Sequence, residues 1–278
     1  MTADVLMFIL LSIGLIGSAD FFGGMASKRS NPFSVAARSQ WVGLPIIVAV
    51  ALMVGSEIIS RDVLLGLAAG VGSGVGVLAL YRGFSAGAIG VVAPIAATFA
   101  AILPIIVGLA TGERPSSVVA GGLALGLVSV VLVAYVPGTS RLSMNGVVHG
   151  LVSGAGFAGM VFAYSSTSEE SGLTSAVAGR FTGVMIATVA AIVVGAPRKV
   201  SRDAVTSSLV AGVLGGVGML FFVTASQRGD LIFLGVAIAL FPAVTVVLAA
   251  LFLHEHLARS QWLGIVLAVV AVATISIG

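Results

Sequence analysis

The chain contains no cysteine. That excludes a disulfide frame, a thiolate nucleophile and any cysteine-based metal site. Histidine is nearly as scarce: His149, His254 and His256 are the three present, and placing them on one ion would require distant segments to converge, so no metal or other cofactor is expected. Charge is the third shortage. Asp, Glu, Lys and Arg together make up 8% of the 278 residues, whereas a soluble domain carries about 25%. In their place, 59% of the residues are hydrophobic and the mean hydropathy is +1.21. So little charge cannot cover a water-facing surface of this size, and the composition implies an all-α polytopic membrane protein. The net charge of +3 does not argue for a nucleic-acid partner, because the basic residues are scattered through short loops, where they orient a chain in its membrane.

A spanning helix needs about 20 apolar residues. Breaking the chain at charged and Pro/Gly/Ser-rich clusters leaves ten such runs, at 4–25, 33–55, 62–82, 86–110, 116–136, 145–166, 173–195, 203–226, 230–253 and 259–277. The opening MTADVLMFIL lacks a basic stretch and reads as the start of the first span, not as a cleaved signal. One set of alternate loops holds Lys28, Arg29, Arg82, Arg141, Arg198, Lys199, Arg202 and Arg259. The other holds Arg61, Arg114 and Arg228. The richer set belongs in the cytoplasm, which puts both termini outside a bacterial-type cytoplasmic membrane.

The sequence is also written twice. At an offset of 142 positions, AGVGSGVGVLALYRGFSAG (69–87) falls on AGVLGGVGMLFFVTASQRG (211–229). Without a gap, Arg38 meets Arg180, Phe99 meets Phe241, Glu113 meets Glu255 and Gly122 meets Gly264. Two five-helix repeats follow, 1–136 and 145–278, joined by a short loop at 137–144. Because five is odd, the second repeat enters the membrane inverted relative to the first. Inverted repeats are an architecture of secondary transporters, with the solute site near the midplane between the copies.

Two stretches carry a resemblance to a known family. The first is ALYRGFSAGAIGVVAPIAATFAAILPIIVGLATGERPS followed by GGLALGLVSVVLVAY, and the second is LFPAVTVVLAALFLHEHLARSQWLGIVLAVVAVATIS. Both resemble the EamA-type module of the drug/metabolite transporter superfamily: an apolar, proline-bearing fourth span, then Gly112-Glu113-Arg114 or its altered counterpart His254-Glu255-His256, then a fifth span, which in the second copy begins near Gln261-Trp262. The arginine in the second span of each module, Arg38 and Arg180, fits as well. The resemblance implies ten helices, a central cavity lined mainly by the first four spans of each repeat, fifth spans at the periphery, and proton-linked export of small organic solutes.

Asp20 is an aspartate in an apolar span, where carboxylates are costly and mark function. Residues 20 and 38 are equidistant from a turn near residue 29, which places both about 13 Å from it on an antiparallel hairpin. Asp20 and Arg38 would then form a buried ion pair, unless Arg38 snorkels to the headgroups or Asp20 serves as a proton relay. Arg180 matches Arg38, but its own repeat offers Phe162 where the first has Asp20. An arginine fork without a local counter-ion suits a carboxylate or phosphate, which makes Arg180 the leading solute-binding candidate. The alternatives for Arg180 are a pair with Asp20 across the repeats or bonds to helix carbonyls.

Arg38, Tyr81, Thr98, Tyr164, Phe241 and Thr245 are further candidates for the lining of a solute cavity. Glu113 and Glu255 are expected to cap the fifth spans. Gly70/Gly74, Gly72/Gly76 and Gly212/Gly216 are small-residue pairs that let helices approach closely. The expected activity is secondary active transport of an amino acid or other anion-bearing metabolite by a functional monomer, with protons as the candidate coupling ion. A cationic-drug exporter built on Asp20 is the main alternative, and a membrane-embedded enzyme or a channel is the remote one.

Overall fold

The computed structural model describes residues 3–86, 89–134, 144–253 and 258–277. Among them are ten α-helices, one 3₁₀ turn and no strand. The helices are α1 (Ala3–Arg29), α2 (Pro32–Val54), α3 (Ser60–Ser85), α4 (Ile89–Ala110) and α5 (Ser117–Ala134) in the first half. The second half holds α6 (Met144–Ser165), α7 (Thr174–Val193), α8 (Arg202–Ser226), α9 (Leu231–Leu253) and α10 (Arg259–Ile277), with the 3₁₀ turn at Glu169–Ser171. The expected runs and the observed helices agree to within a few residues. Local chemistry fixes several ends. The Asn31 side chain accepts hydrogen bonds from the amides of Phe33 (3.0 Å) and Ser34 (3.4 Å), and Pro32 follows at the first helical position, where its missing N–H costs nothing. Gly55, at φ 70°, then ends α2 in the left-handed region that favours glycine.

Among the described residues, seven helices are long and apolar enough to cross a membrane: α1, α2, α3, α6, α7, α8 and α9. Ten helices are present, and the expected ten spans mildly overstate the number that meet this measure. The apolar stretches in α4, α5 and α10 are shorter, at Ile95–Ala110, Ser117–Val133 and Arg259–Ala271.

The packing crosses between the halves. α1 lies against α8 and α9, α2 against α7 and α8, α3 against α6 and α7, α4 against α6 and α9, and α5 against α10. Exchanging α1–α5 with α6–α10 maps this set of contacts onto itself: α1·α8 becomes α3·α6, α2·α8 becomes α3·α7, and α1·α9 becomes α4·α6. Sequence neighbours such as α1 and α2 touch far less. The closest seams are lined by glycine. A methyl on Gly70 of α3 would strike the Gly179 carbonyl and the Thr182 side chain of α7, and one on Gly72 would strike the Gly156 carbonyl of α6. A methyl on Gly212 of α8 would lie 2.7 Å from the Ser39 carbonyl of α2. The sequence marked these three glycines, and each lies where one helix backbone meets another.

Glu113 departs from expectation. Its two carboxylate oxygens accept from the amides of Leu231 (2.8 Å) and Ile232 (3.0 Å). It therefore caps the start of α9 in the other half, not the fifth span that follows it in sequence. A carboxylate there satisfies two orphan N–H groups and meets the positive end of the helix dipole. Glu113→Ala is expected to cost about 1–2 kcal/mol, read as a lowered melting temperature in detergent, with Glu113→Gln losing less. Glu255, with His254 and His256, lies outside the described residues, as do residues 135–143.

Candidate functional site

A central cavity of ≈ 80 Å³ opens where the two halves meet. Its wall is built by α1, α2 and α3 from the first half and by α6, α7, α8 and α9 from the second, and no lining residue comes from α5 or α10. Asp20, Gln40, Tyr81, Tyr164, Arg180 and Phe241 are among the residues that line it. A second chamber of ≈ 70 Å³ adjoins it. Asp20, Phe157 and Phe241 line both chambers. The second chamber extends toward the C-terminal end of α3, at Leu80 and Phe84, and takes Ala96, Ala97 and Ala100 from α4 and Thr245 from α9.

Arg180 is 9% exposed. It stands on α7 next to Gly179, the residue whose lack of a side chain admits both α3 and the Tyr164 hydroxyl. Its guanidinium donates one hydrogen bond to Gln40 Oε1 on α2 and one to the Gly215 carbonyl on α8 at 2.8 Å. Three helices thus fix its plane. No carboxylate lies within ion-pair distance of it among the described residues. A guanidinium has five N–H donors, and the protein takes two of them with neutral acceptors. The full positive charge is left facing the cavity.

Asp20 makes no hydrogen bond or ion pair among the described residues. The expected Asp20–Arg38 pair is therefore corrected. The two residues stand level along the sequence, but α8 and α9, not α2, are the main neighbours of α1. Arg38 is half-buried, its Nε has no partner, and it lines neither chamber. The repeat mates have parted: Arg180 reaches the cavity and Arg38 does not. Thr98 also stands outside both linings. Thr245 lines the second chamber while its hydroxyl donates to the Gly17 carbonyl of α1 at 2.9 Å. Phe241 meets Phe222 edge to face at 6.4 Å.

Sequence reasoning passed over Gln40 and Gly215. The signal for Gln40 was available, as an amide two residues beyond Arg38 in an otherwise apolar span. Gly215 acts through its carbonyl, and no side chain announces that. One face of the molecule also carries a polar lattice the sequence reading missed. Asp62, fully buried at the start of α3, accepts from the Ser168 amide (2.9 Å) and hydroxyl (2.6 Å). Gln227 holds the same 166–173 segment through the Gly172 carbonyl at 2.9 Å, and Arg228 pairs with Glu169 at 2.9 Å.

This is a multi-pass helical membrane protein with a cavity at the meeting of two intertwined five-helix halves. Residues 144–277, covering α6–α10, match the EamA-like transporter family. That match covers just under half of the chain, and together with the apolar helices it supports a membrane transporter that resembles the EamA type. A crystal structure of another protein matches with a TM-score of 0.81 at 14% identity, covering 100% of this chain and 98% of that one. At that identity the likeness establishes the fold. No curated protein matches the sequence.

Proposed function

We propose that the protein is a secondary active transporter that moves a small organic metabolite bearing a carboxylate or similar anionic group, an amino acid included. The observation that carries this reading is Arg180. It is a guanidinium in the central cavity, oriented by Gln40 and Gly215 and without an ion-paired carboxylate among the described residues. Such a fork binds a carboxylate through two parallel N–H donors. Tyr81 and Tyr164 border the same space. Glycine-lined seams on both sides of the cavity allow helices to shift against each other, as alternating access between repeated halves requires.

On this reading the two halves, 1–136 and 145–278, act as the repeats of a functional monomer in the cytoplasmic membrane, with both termini outside and lipid as the surrounding partner. The family match favours the carrier reading over those of an enzyme or a channel. The export direction and the proton link rest on the family resemblance.

The test is ligand-induced thermal stabilisation of the purified protein, screened across organic acids, amino acids, sugar phosphates and cationic drugs. A ligand at about 100 times its Kd stabilises by about 2.7 kcal/mol. Anionic compounds are expected to stabilise the wild type, and Arg180→Ala is expected to lose the effect while its unliganded melting temperature stays within reach of wild type. Saturable counterflow in proteoliposomes then separates a carrier from a channel. A second reading has one observation in its favour: Asp20 lines both chambers without a hydrogen-bond partner, as a counter-ion for a cationic solute would. Stabilisation by cations alone, lost in Asp20→Asn, would replace the first reading with that one.

A further inference from the structure

Asp20 and Arg180 are the charged side chains among the described residues lining the two chambers. They are not ion-paired with each other or with any other described group. The titratable groups bordering the same space are Tyr81 on α3 and Tyr164 on α6. The linings contributed by α2, α8 and α9 contain none. The net charge of the cavity is therefore set by Asp20 against a fixed Arg180. With Asp20 ionised the cavity is neutral, and a bound monoanion makes it negative. With Asp20 protonated the cavity is cationic, and a bound monoanion makes it neutral.

Anion and proton consequently favour each other's binding, and by linkage the effect is reciprocal. Two negative charges sharing one buried cavity repel each other, so an ionised Asp20 weakens the binding of an anion there. The position of Asp20 gives this coupling a route. Arg180 borders the first chamber only, whereas Asp20 borders both. It therefore stands between the guanidinium and the side of the molecule on which Lys28 and Arg29 end α1.

We propose that Asp20 makes this carrier take up a proton together with its anionic solute, so that a monoanion crosses as an electrically neutral load. The proposal rests on the reading of Arg180 as the anion clamp. The balance is simple: one proton leaves the water for the Asp20 carboxylate, one monoanion settles on the Arg180 guanidinium, and both are released on the opposite side. Net export then runs only where the outward solute gradient exceeds the inward proton gradient. A cationic solute would compete with the proton for Asp20 and give the opposite sign.

The experiment measures binding to the purified full chain from pH about 5 to about 9, with lactate, pyruvate and benzoate as monoanions, alanine as the amine-bearing counterpart of lactate, and tetramethylammonium as a cation. Proton uptake on binding is read in weak buffer. Monoanion affinity is expected to rise as pH falls, by up to about tenfold per unit. Asp20→Asn is expected to hold the tight affinity at every pH and to take up no proton. Asp20→Glu restores the dependence and controls for folding. Affinity that is independent of pH and equal in Asp20→Asn overturns the coupling and leaves the anion clamp standing. Binding of alanine or tetramethylammonium that weakens as pH falls and disappears in Asp20→Asn overturns it too, by making Asp20 a counter-ion for an ammonium group. Failure of every monoanion at every pH removes the clamp itself.

Discussion

Gly70→Val is expected to yield protein that does not survive extraction as a monodisperse species, or that melts far below wild type. A side chain at residue 70 has nowhere to go. Its Cβ would overlap the Gly179 carbonyl and come within 2.6 Å of the Thr182 Cβ. The first of these is backbone, which cannot rotate away. Relief requires α3 and α7 to separate along their whole crossing, where a methyl on Gly66 would likewise meet the Ser175 carbonyl. Overpacking a tight core costs about 1–3 kcal/mol where side chains can adjust, and a backbone collision belongs at or beyond the upper end. Helices in a bilayer gain no hydrophobic free energy from meeting each other, so close packing is a main source of their association. The loss is expected to be visible in size-exclusion profile and melting curve together. Gly14→Ala is the control. No atom lies within 4 Å of its new methyl, and its melting temperature should match wild type. Gly70→Ala should fall between the two, and if it folds it should bind anions more weakly. Arg180 follows Gly179 directly, so pushing α7 outward draws the guanidinium away from Gln40 and Gly215.

That coupling of seam to site shows where the sequence was readable. The duplication at an offset of 142 singled out Arg180 as the repeat mate of Arg38, and it placed Gly70 and Gly212 at equivalent positions. Both readings depended on comparing the chain with itself, which needs no coordinates. The Asp20–Arg38 pairing failed because it assumed that sequence neighbours pack as a hairpin. Here α1 spends its contacts on α8 and α9, and depth along a helix says nothing about which helix stands beside it. The role of Glu113 was misplaced for the same reason: its carboxylate crosses to α9, in the other half. Gln40 and Gly215 became partners of Arg180 only through the angles at which α2 and α8 approach α7. A carbonyl acceptor leaves no trace in residue type. Periodicity found the helices because apolar runs obey local rules, whereas the wall of the cavity obeys interhelical ones.

The intertwined contacts also bear on how the site could change face. Each half reaches most of its packing partners in the other half, so a movement of one half alone would tear the core. On the proposed carrier reading, sliding along the α3·α7 and α2·α8 seams would move Arg180, Gln40 and Gly215 relative to one another. The Arg180 guanidinium is bonded across both α7·α2 and α7·α8. On that reading, any such shift would therefore alter the guanidinium's bonds.

Asp62→Ala carries the second large expectation, on the face of the molecule where α3 begins. Asp62 is fully buried and supplies the acceptor for both the amide and the hydroxyl of Ser168. Arg61 approaches its other oxygen at 3.8 Å from a largely exposed position, too far for a hydrogen bond. Removing the carboxylate leaves two donors of Ser168 without an acceptor. Hydrogen bonds to charged groups contribute about 1.5–3 kcal/mol each, and a stranded buried donor costs more than the bond alone, so a loss of about 3 kcal/mol is expected. The damage should be local first. Segment 166–173 joins α6 to α7 and is also held by Gln227 and Arg228, so it should stay attached at one end while it loosens at the other. Hydrogen exchange is expected to accelerate at Ser168 before the helices are affected, with the melting temperature falling as well. Asp62→Asn keeps one acceptor and should lose roughly half as much. Ser168→Ala, which removes the hydroxyl and keeps the amide, should lose less than Asp62→Ala. Unchanged exchange at 166–173 in Asp62→Ala would mean that Gln227 and Arg228 alone fix the segment and that the buried carboxylate serves α3 instead.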